Sequence, residues 1–319
     1  MDQPVMIKDG VYWIGALDPG LVVFDIVIPT KHGTTYNAYL VKGEKIAVIE
    51  TVKSYCVDGF ISKIRSLVRP EDIDYIIINH TEPDHSGGLI RLMELAPNAI
   101  PVFSRGARTF VKNILHKEFD YKEVKAGDSI DLGGKVLKFI SAPFLHWPDT
   151  MFTYLETDKI LFPCDAFGSH YCSDKRFNDE LDSKEDAFTA YEFYYDTILR
   201  PFKKHVIAAL DNIKDIDIDI IAPSHGPILR ENINKYIDAY IEWAGKTKKY
   251  PDKKKIAIIY VSSYGSTQKM AESIYRGACQ PDTDVTLLNA AEIDMDSLLD
   301  EIDAADGIIL GTPTLNAKA

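Results

Sequence analysis

The run Asp74-Tyr75-Ile76-Ile77-Ile78-Asn79 leads straight into His80-Thr81-Glu82-Pro83-Asp84-His85-Ser86-Gly87-Gly88, and this junction decides how the first part of the chain reads. A short continuous apolar run is an inner strand covered on both faces. Here it ends in four potential metal ligands, His80, Glu82, Asp84 and His85, spread over six residues. Loops at strand ends are where rigid scaffolds present chemistry. In an extended loop alternate side chains share a side, so His80 and Glu82 can reach one ion. Asp84 and His85 can reach a second if the chain turns after them, and Pro83 stiffens the bend between the pairs.

Three further ligand-type residues sit in the same setting. His146 lies in Pro143-Phe144-Leu145-His146-Trp147-Pro148-Asp149, just after a strand ending near Ser141. Asp165 closes Ile160-Leu161-Phe162-Pro163-Cys164-Asp165, and His225 closes Ile220-Ile221-Ala222-Pro223-Ser224-His225. A lone histidine is more often structural than functional. Seven such residues, each at the C-terminal end of an apolar strand, are hard to obtain by chance.

Around these junctions the chain alternates strands and helices. Gly10–Gly15, Thr35–Val41 and Lys45–Glu50 read as meander strands separated by glycine turns. Asp58–Val68 has helical apolar spacing. Lys135–Ser141, Met151–Glu156, Lys159–Pro163 and Asp217–Pro223 read as strands. Glu185–Asn212 reads as mostly helical, broken or kinked at Pro201. Lys246–Lys255 is charged, carries Pro251 and reads as a linker. After it come a strand (Ile256–Val261), a helix (Thr267–Ala278), a strand (Val285–Leu288), a helix (Ile293–Ile302) and a strand (Gly307–Gly311). That order opens a doubly wound α/β domain. The expected division is therefore residues 1–250 and residues 251–319.

The bulk numbers agree. A chain of 319 residues exceeds what one compact core usually holds. Its 46% hydrophobic and 26% charged residues are ordinary globular composition. A net charge of -12, with a pI near 5.1, argues against non-specific binding to nucleic acid or anionic lipid. Solubility explains that charge, and a docking surface for a basic redox partner is the other reading. No apolar run approaches the ~20 residues of a membrane span, and Met1-Asp2-Gln3-Pro4 has no signal pattern. The expected location is cytoplasmic, with no membrane and no nucleic-acid partner. The four cysteines form no C-x-x-C pair, which excludes a rubredoxin-type iron site, a zinc ribbon and a disulfide framework.

The pattern H-x-E-x-D-H, then H, D and H, resembles the flavodiiron proteins (A-type flavoproteins) of the metallo-β-lactamase superfamily. The resemblance runs along essentially the whole chain. It includes Gly33-Thr34-Thr35-Tyr36-Asn37-Ala38-Tyr39-Leu40, His146-Trp147-Pro148-Asp149 and Ala222-Pro223-Ser224-His225-Gly226. It implies an α/β chain: a metallo-β-lactamase-like αββα sandwich, then a flavodoxin-like doubly wound domain. It assigns His80, Glu82 and His146 to one iron and Asp84, His85 and His225 to the other, with Asp165 bridging. Zinc hydrolases of the superfamily resemble H-x-H-x-D-H, with histidine where this chain has Glu82. Carboxylate with imidazole suits iron better than zinc. The alternative is a zinc-dependent metallo-hydrolase of the same fold.

Ser262-Ser263-Tyr264-Gly265-Ser266-Thr267 joins a strand to a helix. Backbone N–H groups and the helix dipole there favour an anion, although an ordinary capped helix start looks the same. The resemblance makes this loop the FMN phosphate site, and Thr312-Pro313-Thr314-Leu315 the second FMN loop. A flavodoxin-like domain has five strands, so the resemblance implies an incomplete one here, carrying the first three. Of Tyr194 and Tyr195, one matches a family tyrosine near the diiron pocket, and Tyr195 is the expected catalytic proton donor. Core packing is the competing reading for both. Where some members carry a histidine near the substrate pocket, this chain has Asp25, with His32 further on. His116 and His170 have no ligand pattern, and Trp147 is expected to pack around the site.

The resemblance implies reductive scavenging of O2 to water, of NO to N2O, or both. The implied electron donor is a separate rubredoxin-like protein or a reduced deazaflavin or nicotinamide system. The implied assembly is a head-to-tail homodimer or a tetramer.

Overall fold

The computed structural model describes residues 3–116, 119–245 and 253–314. The chain divides into two compact units, Met1–Gly245 and Lys246–Ala319. Much of the expected linker, residues 246–252, lies outside the described residues. Its last two lysines already belong to the strand Lys254–Tyr260.

Among the described residues, the first unit is built on two stacked sheets. One runs in the order Val5–Lys8, Val11–Trp13, Tyr39–Lys42, Ile46–Ile49, Tyr75–Ile78, Ile100–Ser104, Lys122–Val124. Its last four strands are parallel neighbours. The other runs Ser129–Asp131, Val136–Ser141, Met151–Leu155, Ile160–Phe162, Ile220–Ile221. The alternation of strand side chains makes the layers. Ala47, Ile49 and Ile77 point into a core shared with Phe139, Leu155, Ile160 and Phe162 of the second sheet. Val48, Ile76 and Ile78 point the other way, onto Phe60, Ile64, Leu89, Leu92 and Val111 of the covering helices. On the outer face of the second sheet, Phe152, Tyr154, Leu161 and Ile221 meet Tyr191, Val206, Ala209, Tyr240 and Trp243. Helix, sheet, sheet, helix is the αββα sandwich. The unbroken apolar run at Tyr75–Ile78 is explained by it, since both faces of that strand are buried.

Two expected elements divide. Thr35–Val41 is not one strand but two, Thr34–Tyr36 and Tyr39–Lys42, which pair in different sheets. Asn37 sits between them because it has other work. Its backbone N–H donates to Ser224 O, and its side chain donates to Pro223 O and Gly226 O and accepts from Trp13 Nε1. It ties the first sheet to the loop after Ile220–Ile221. The segment Glu185–Asn212 becomes the helix Lys184–Tyr194, a π-helical turn Tyr195–Leu199, a 3-10 turn Arg200–Phe202 and the helix Lys203–Ile213. Pro201 cannot donate in the helical ladder, and the break falls on it. The strand expected over Asp217–Pro223 shortens to Ile220–Ile221.

In the second unit the described strands order as Thr283–Asn289, Lys254–Tyr260, Gly307–Gly311, all parallel. The helices Ser266–Ala278 and Met295–Ala304 make the crossovers. The first strand is central, so the chain reverses direction across the sheet there, which is the topological switch point of a doubly wound fold.

Asn37→Ala would leave the buried Trp13 Nε1 without an acceptor and would take one donor each from the carbonyls of Pro223 and Gly226, which keep Tyr39 Oη and Thr35 Oγ1. It should lower unfolding stability by roughly 2–4 kcal/mol, measured by urea denaturation of the metal-free protein; a loss within 0.5 kcal/mol, on the order of an ordinary surface change, would contradict the tie.

Candidate metal centre

The seven ligand-type side chains expected from the sequence come together at the C-terminal ends of their strands. They fall into two groups. In the first, Glu82 Oε2 lies 3.0 Å from His80 Nε2 and 3.1 Å from His146 Nε2. In the second, Asp84 Oδ1 lies 3.4 Å from His85 Nε2, and Asp84 Oδ2 lies 3.1 Å from His225 Nε2. Asp165 stands between the groups. Its Oδ2 is 3.6 Å from His80 Nε2 and 3.8 Å from His146 Nε2. Its Oδ1 is 3.0 Å from His85 Nε2 and 3.5 Å from His225 Nε2. One carboxylate thus offers one oxygen to each group.

Local sequence explains the positions. Glu82 precedes the short helix Pro83–Ser86, with Pro83 in its first turn, where a missing N–H costs nothing. The turn the sequence asked for is therefore helical, and it carries Asp84 and His85 to the side opposite His80. Thr51 clamps it from below, its N–H and hydroxyl both donating to His85 O, at 2.9 and 2.6 Å. The glycines that follow are needed for closeness: a Cβ at Gly87 would lie 2.6 Å from Ser54 N and 2.7 Å from Pro83 O.

The outer nitrogens of two histidines are held by groups that only accept. His225 Nδ1 lies 2.6 Å from Thr35 O, and a carbonyl fixes the proton on Nδ1. His80 Nδ1 lies 3.3 Å from Asp149 Oδ1, whose other oxygen accepts from Thr81 N and Thr81 Oγ1. Such partners leave Nε2 with a bare lone pair aimed inward, as metal ligation requires.

The donor set fits metal ions. Both oxygens of Asp84, both oxygens of Asp165 and both nitrogens of His85 are buried and make no hydrogen bond. They are close enough to bond one another but are not oriented to do so; their lone pairs converge instead. Buried carboxylates persist when they are paired or coordinate metals. In the metal-free state the histidines take up the compensation. Burial works to lower the His80 pKa, but hydrogen bonds to Asp149 and Glu82 and the charge of Asp165 push it up to about 10. His85 is raised well above its usual range by Asp84 and Asp165 against the same burial. Burial opposes ionisation of Glu82, Asp84 and Asp165, yet the facing histidines hold all three carboxyls below their usual range.

The side chains of Glu82 and His146 keep 12% and 20% exposure, while the other five keep no more than 4%. The centre therefore opens on the Glu82–His146 side. Asp25 faces that opening: partial burial, then the charges of Glu82 and Asp84, raise its carboxyl. Trp147 packs on His80, ring centroids 5.1 Å apart.

The tyrosine assignment needs correction. Tyr195 turns its ring onto Tyr240 and Trp243, at 4.9 and 5.1 Å. Tyr194 is the one beside the centre, 5.9 Å from the His225 ring and 4.9 Å from His170. Helical spacing puts neighbouring residues about 100° apart, so only one of the two can face the site. His170 is no member of either group, but it is close: its Nδ1 shares Thr34 Oγ1 with His225 Nδ1. Burial, then the charge of His225, lowers its pKa to about 3.

In the second unit, Ser262–Thr267 and Thr312–Thr314 follow the adjacent strands Lys254–Tyr260 and Gly307–Gly311. Gly265 caps the helix Ser266–Ala278 in a left-handed conformation, φ +80°, with no side chain bonding the free N–H groups. Ser262 Oγ is buried with no hydrogen-bond partner. Tyr264 is 97% exposed. A capless helix start beside an unused buried hydroxyl fits a phosphate. A Cβ at Gly311 would lie 3.2 Å from Thr267 Cγ2, so the two loops adjoin. Leu315, expected in the second loop, lies outside the described residues.

Comparison with known proteins agrees with this architecture. Residues 34–226 match the ODP family beta lactamase, and residues 258–318 match Flavodoxin. The flavo-diiron protein FprA2 of Clostridium acetobutylicum is 43% identical over 99% of this chain and 80% of its own length. This chain belongs to the flavodiiron proteins. Another member of similar reach, nitric oxide reductase of Moorella thermoacetica, is 39% identical over 99% of this chain and 79% of its own. Among solved flavodiiron folds, rubredoxin oxygen:oxidoreductase from Desulfovibrio gigas superposes with a TM-score of 0.76 at 30% identity, over 98% of this chain and 78% of that one.

Two buried acids beside the centre of this flavodiiron chain, Asp149 and Glu50, were not among the expected site residues. Asp149 was visible in His146-Trp147-Pro148-Asp149 but carried no role. Glu50 was visible as a carboxylate ending the apolar strand Ile46–Ile49, the same signal that marked Asp165. Its carboxyl is buried, and burial raises its pKa to about 8 against the charge of His85.

The shifts set a pH window for the metal-free protein. Lowered carboxyl pKa values contribute stability above about pH 4, the unfolded range, and lose it as pH falls through the folded values. The raised His80 and His85 contribute fully below about pH 6.5 and lose it as pH rises, for His80 through about 10. The melting temperature of the metal-free protein should therefore be highest between roughly pH 4.5 and 6.5 and fall on both sides; a maximum above pH 8 would contradict the cluster's charge assignment.

Proposed function

We propose that this chain reduces O2 to water, NO to N2O, or both, at two irons supplied with electrons through FMN. The observation that carries the reading is Asp165, one oxygen in each of two adjacent ligand groups. His80, Glu82 and His146 would hold one ion, and Asp84, His85 and His225 the other. When bound, FMN passes on donor electrons one at a time, and paired ferrous ions hold and polarise both atoms of a diatomic molecule. Glu82 favours iron over zinc here, because a carboxylate replaces the histidine of the hydrolytic pattern.

The chain's own groups supply orientation and protons. Thr35 O and Asp149 keep the His225 and His80 lone pairs aimed inward. Both reductions consume protons. Burial, then the charge of Asp165, raises the Tyr194 hydroxyl pKa well above its usual range, so it stays protonated beside the centre. Tyr194 therefore takes the proton-donor role that the sequence gave to Tyr195. Asp25 sits at the opening where incoming protons pass.

In the second unit Ser262, Ser263, Tyr264, Gly265, Ser266 and Thr267 would hold the FMN phosphate, with Thr312, Pro313 and Thr314 near the ring. The proposed division is a diiron unit over residues 1–250 and a flavodoxin-like unit over residues 251–319. The electron donor is a separate rubredoxin-like protein or a reduced deazaflavin or nicotinamide system. A head-to-tail homodimer, or a tetramer built from it, would bring the flavin of one copy to the irons of another. Cys56, Cys164, Cys172 and Cys279 form no disulfide among the described residues, which suits the reducing cytoplasm. Among the described residues, no helix is long and apolar enough to cross a membrane.

The test is anaerobic reduction of the purified protein, with iron and flavin content measured, followed by parallel O2 and NO consumption. Asp165→Ala should lose iron and gas consumption together. Full activity in that variant would sink the bridging role. Two zinc ions with ester or thioester hydrolysis and no gas uptake would replace the reading by the hydrolase.

A further inference from the structure

His85 differs from the other ligand candidates: neither of its ring nitrogens has a hydrogen-bond partner. Its Nε2 faces Asp165 and Asp84. Its Nδ1 faces away from them, and a histidine that ligates through Nε2 needs an acceptor at Nδ1 to hold its proton there. His225 has Thr35 O in that role and His80 has Asp149.

Behind His85 lies a second unpartnered group. Glu50 is 2% exposed and stands at the end of the strand Ile46–Ile49 in a left-handed conformation, φ +61°, unusual for a residue with a side chain. Its N–H donates to Ile77 O, and its Oε1 accepts from Asn79 N at 2.8 Å. The other oxygen, Oε2, is buried and accepts from nothing. Ligand-type atoms of Glu50, His85 and Cys164 all lie within 4.8 Å of one another. The next residue, Thr51, already grips the His85 carbonyl through two hydrogen bonds. A donor lacking an acceptor and an acceptor lacking a donor thus share one dry space, on two segments that are bonded together.

We infer that Glu50 is the positioning residue for His85: its free carboxylate oxygen would accept a hydrogen bond from Nδ1–H, keep the proton on Nδ1 and thereby present a bare Nε2 to the second ion. This rests on the reading of His85 as a ligand. A purely structural Glu50 would need only Oε1, which stitches the ends of the strands Ile46–Ile49 and Tyr75–Ile78 and leaves Oε2 without purpose. A buried carboxylate with an idle oxygen is costly.

Glu50→Gln separates the two roles. Glutamine keeps the volume and keeps one oxygen for Asn79 N–H. It replaces Oε2 by an NH2, which can face His85 only if Nδ1 accepts. Neutral imidazole then carries its proton on Nε2, the nitrogen that must be bare. Flipping the amide to avoid this would set NH2 against Asn79 N–H.

The experiment is titration of the metal-free full chain with Co2+, read by visible absorption and equilibrium dialysis, with melting of the metal-free protein alongside. Wild type should take up two equivalents. Glu50→Gln should take up the first as wild type does and bind the second roughly 10–100-fold more weakly, with metal-free melting and far-ultraviolet circular dichroism unchanged or improved. Two wild-type-like equivalents in the variant would overturn the inference and leave the ligand reading intact. Equal weakening of both equivalents, or a lower metal-free melting temperature, would show Glu50 to be structural and overturn it as well. Fewer than two equivalents in wild type would overturn the ligand reading and, with it, this inference.

Discussion

Three carboxylates and four imidazoles meeting in a dry interior are the constraint on which the first unit depends. Such a cluster is unfavourable unless positive charge arrives to compensate it. Protons on His80 and His85 supply part of that charge in the metal-free state. Divalent ions supply it better, because they satisfy lone pairs that no hydrogen bond reaches. The sandwich exists to hold this cluster still: the parallel strands end at one edge, and each ligand-type residue leaves from a strand end or from the turn just after it.

Much of this was legible in the chain. An apolar strand ending in a histidine or aspartate is a local signal, and it found all seven clustered residues. Unbroken apolar runs such as Tyr75–Ile78, which double burial explains, marked inner strands, while the αββα layering followed from the family resemblance. What could not be read was whatever depends on contacts between distant segments. Asn37 breaks a strand because its partners are Pro223, Ser224 and Gly226, and no window around residue 37 contains them. Tyr194 and Tyr195 are equally plausible in sequence, and only the rotation of their helix chooses between them. Glu50 and Asp149 look like ordinary strand-end and loop acids until His85 and His80 are placed beside them.

The two units divide the chemistry. The first gathers hard oxygen and imidazole donors in a buried cage. The second offers backbone N–H groups at the start of the helix Ser266–Ala278, a softer anion site open to solvent. Each uses the same geometric resource, the C-terminal edge of parallel strands, where loops are free to vary while the strands stay fixed.

The clamp of Thr51 on His85, the glycines pressed against Ser54 and Pro83, and the carbonyl behind His225 all hold the ligand-type side chains through the protein's own backbone. Little ordering then remains to be done when a metal enters. Such a cage captures ions tightly, and its choice among them rests on its donor atoms, Glu82 above all, rather than on any adjustment of shape. Among first-row divalent ions intrinsic affinity favours zinc over ferrous iron. The carboxylate of Glu82 therefore has to work against that intrinsic order, in a cage whose shape yields to neither ion.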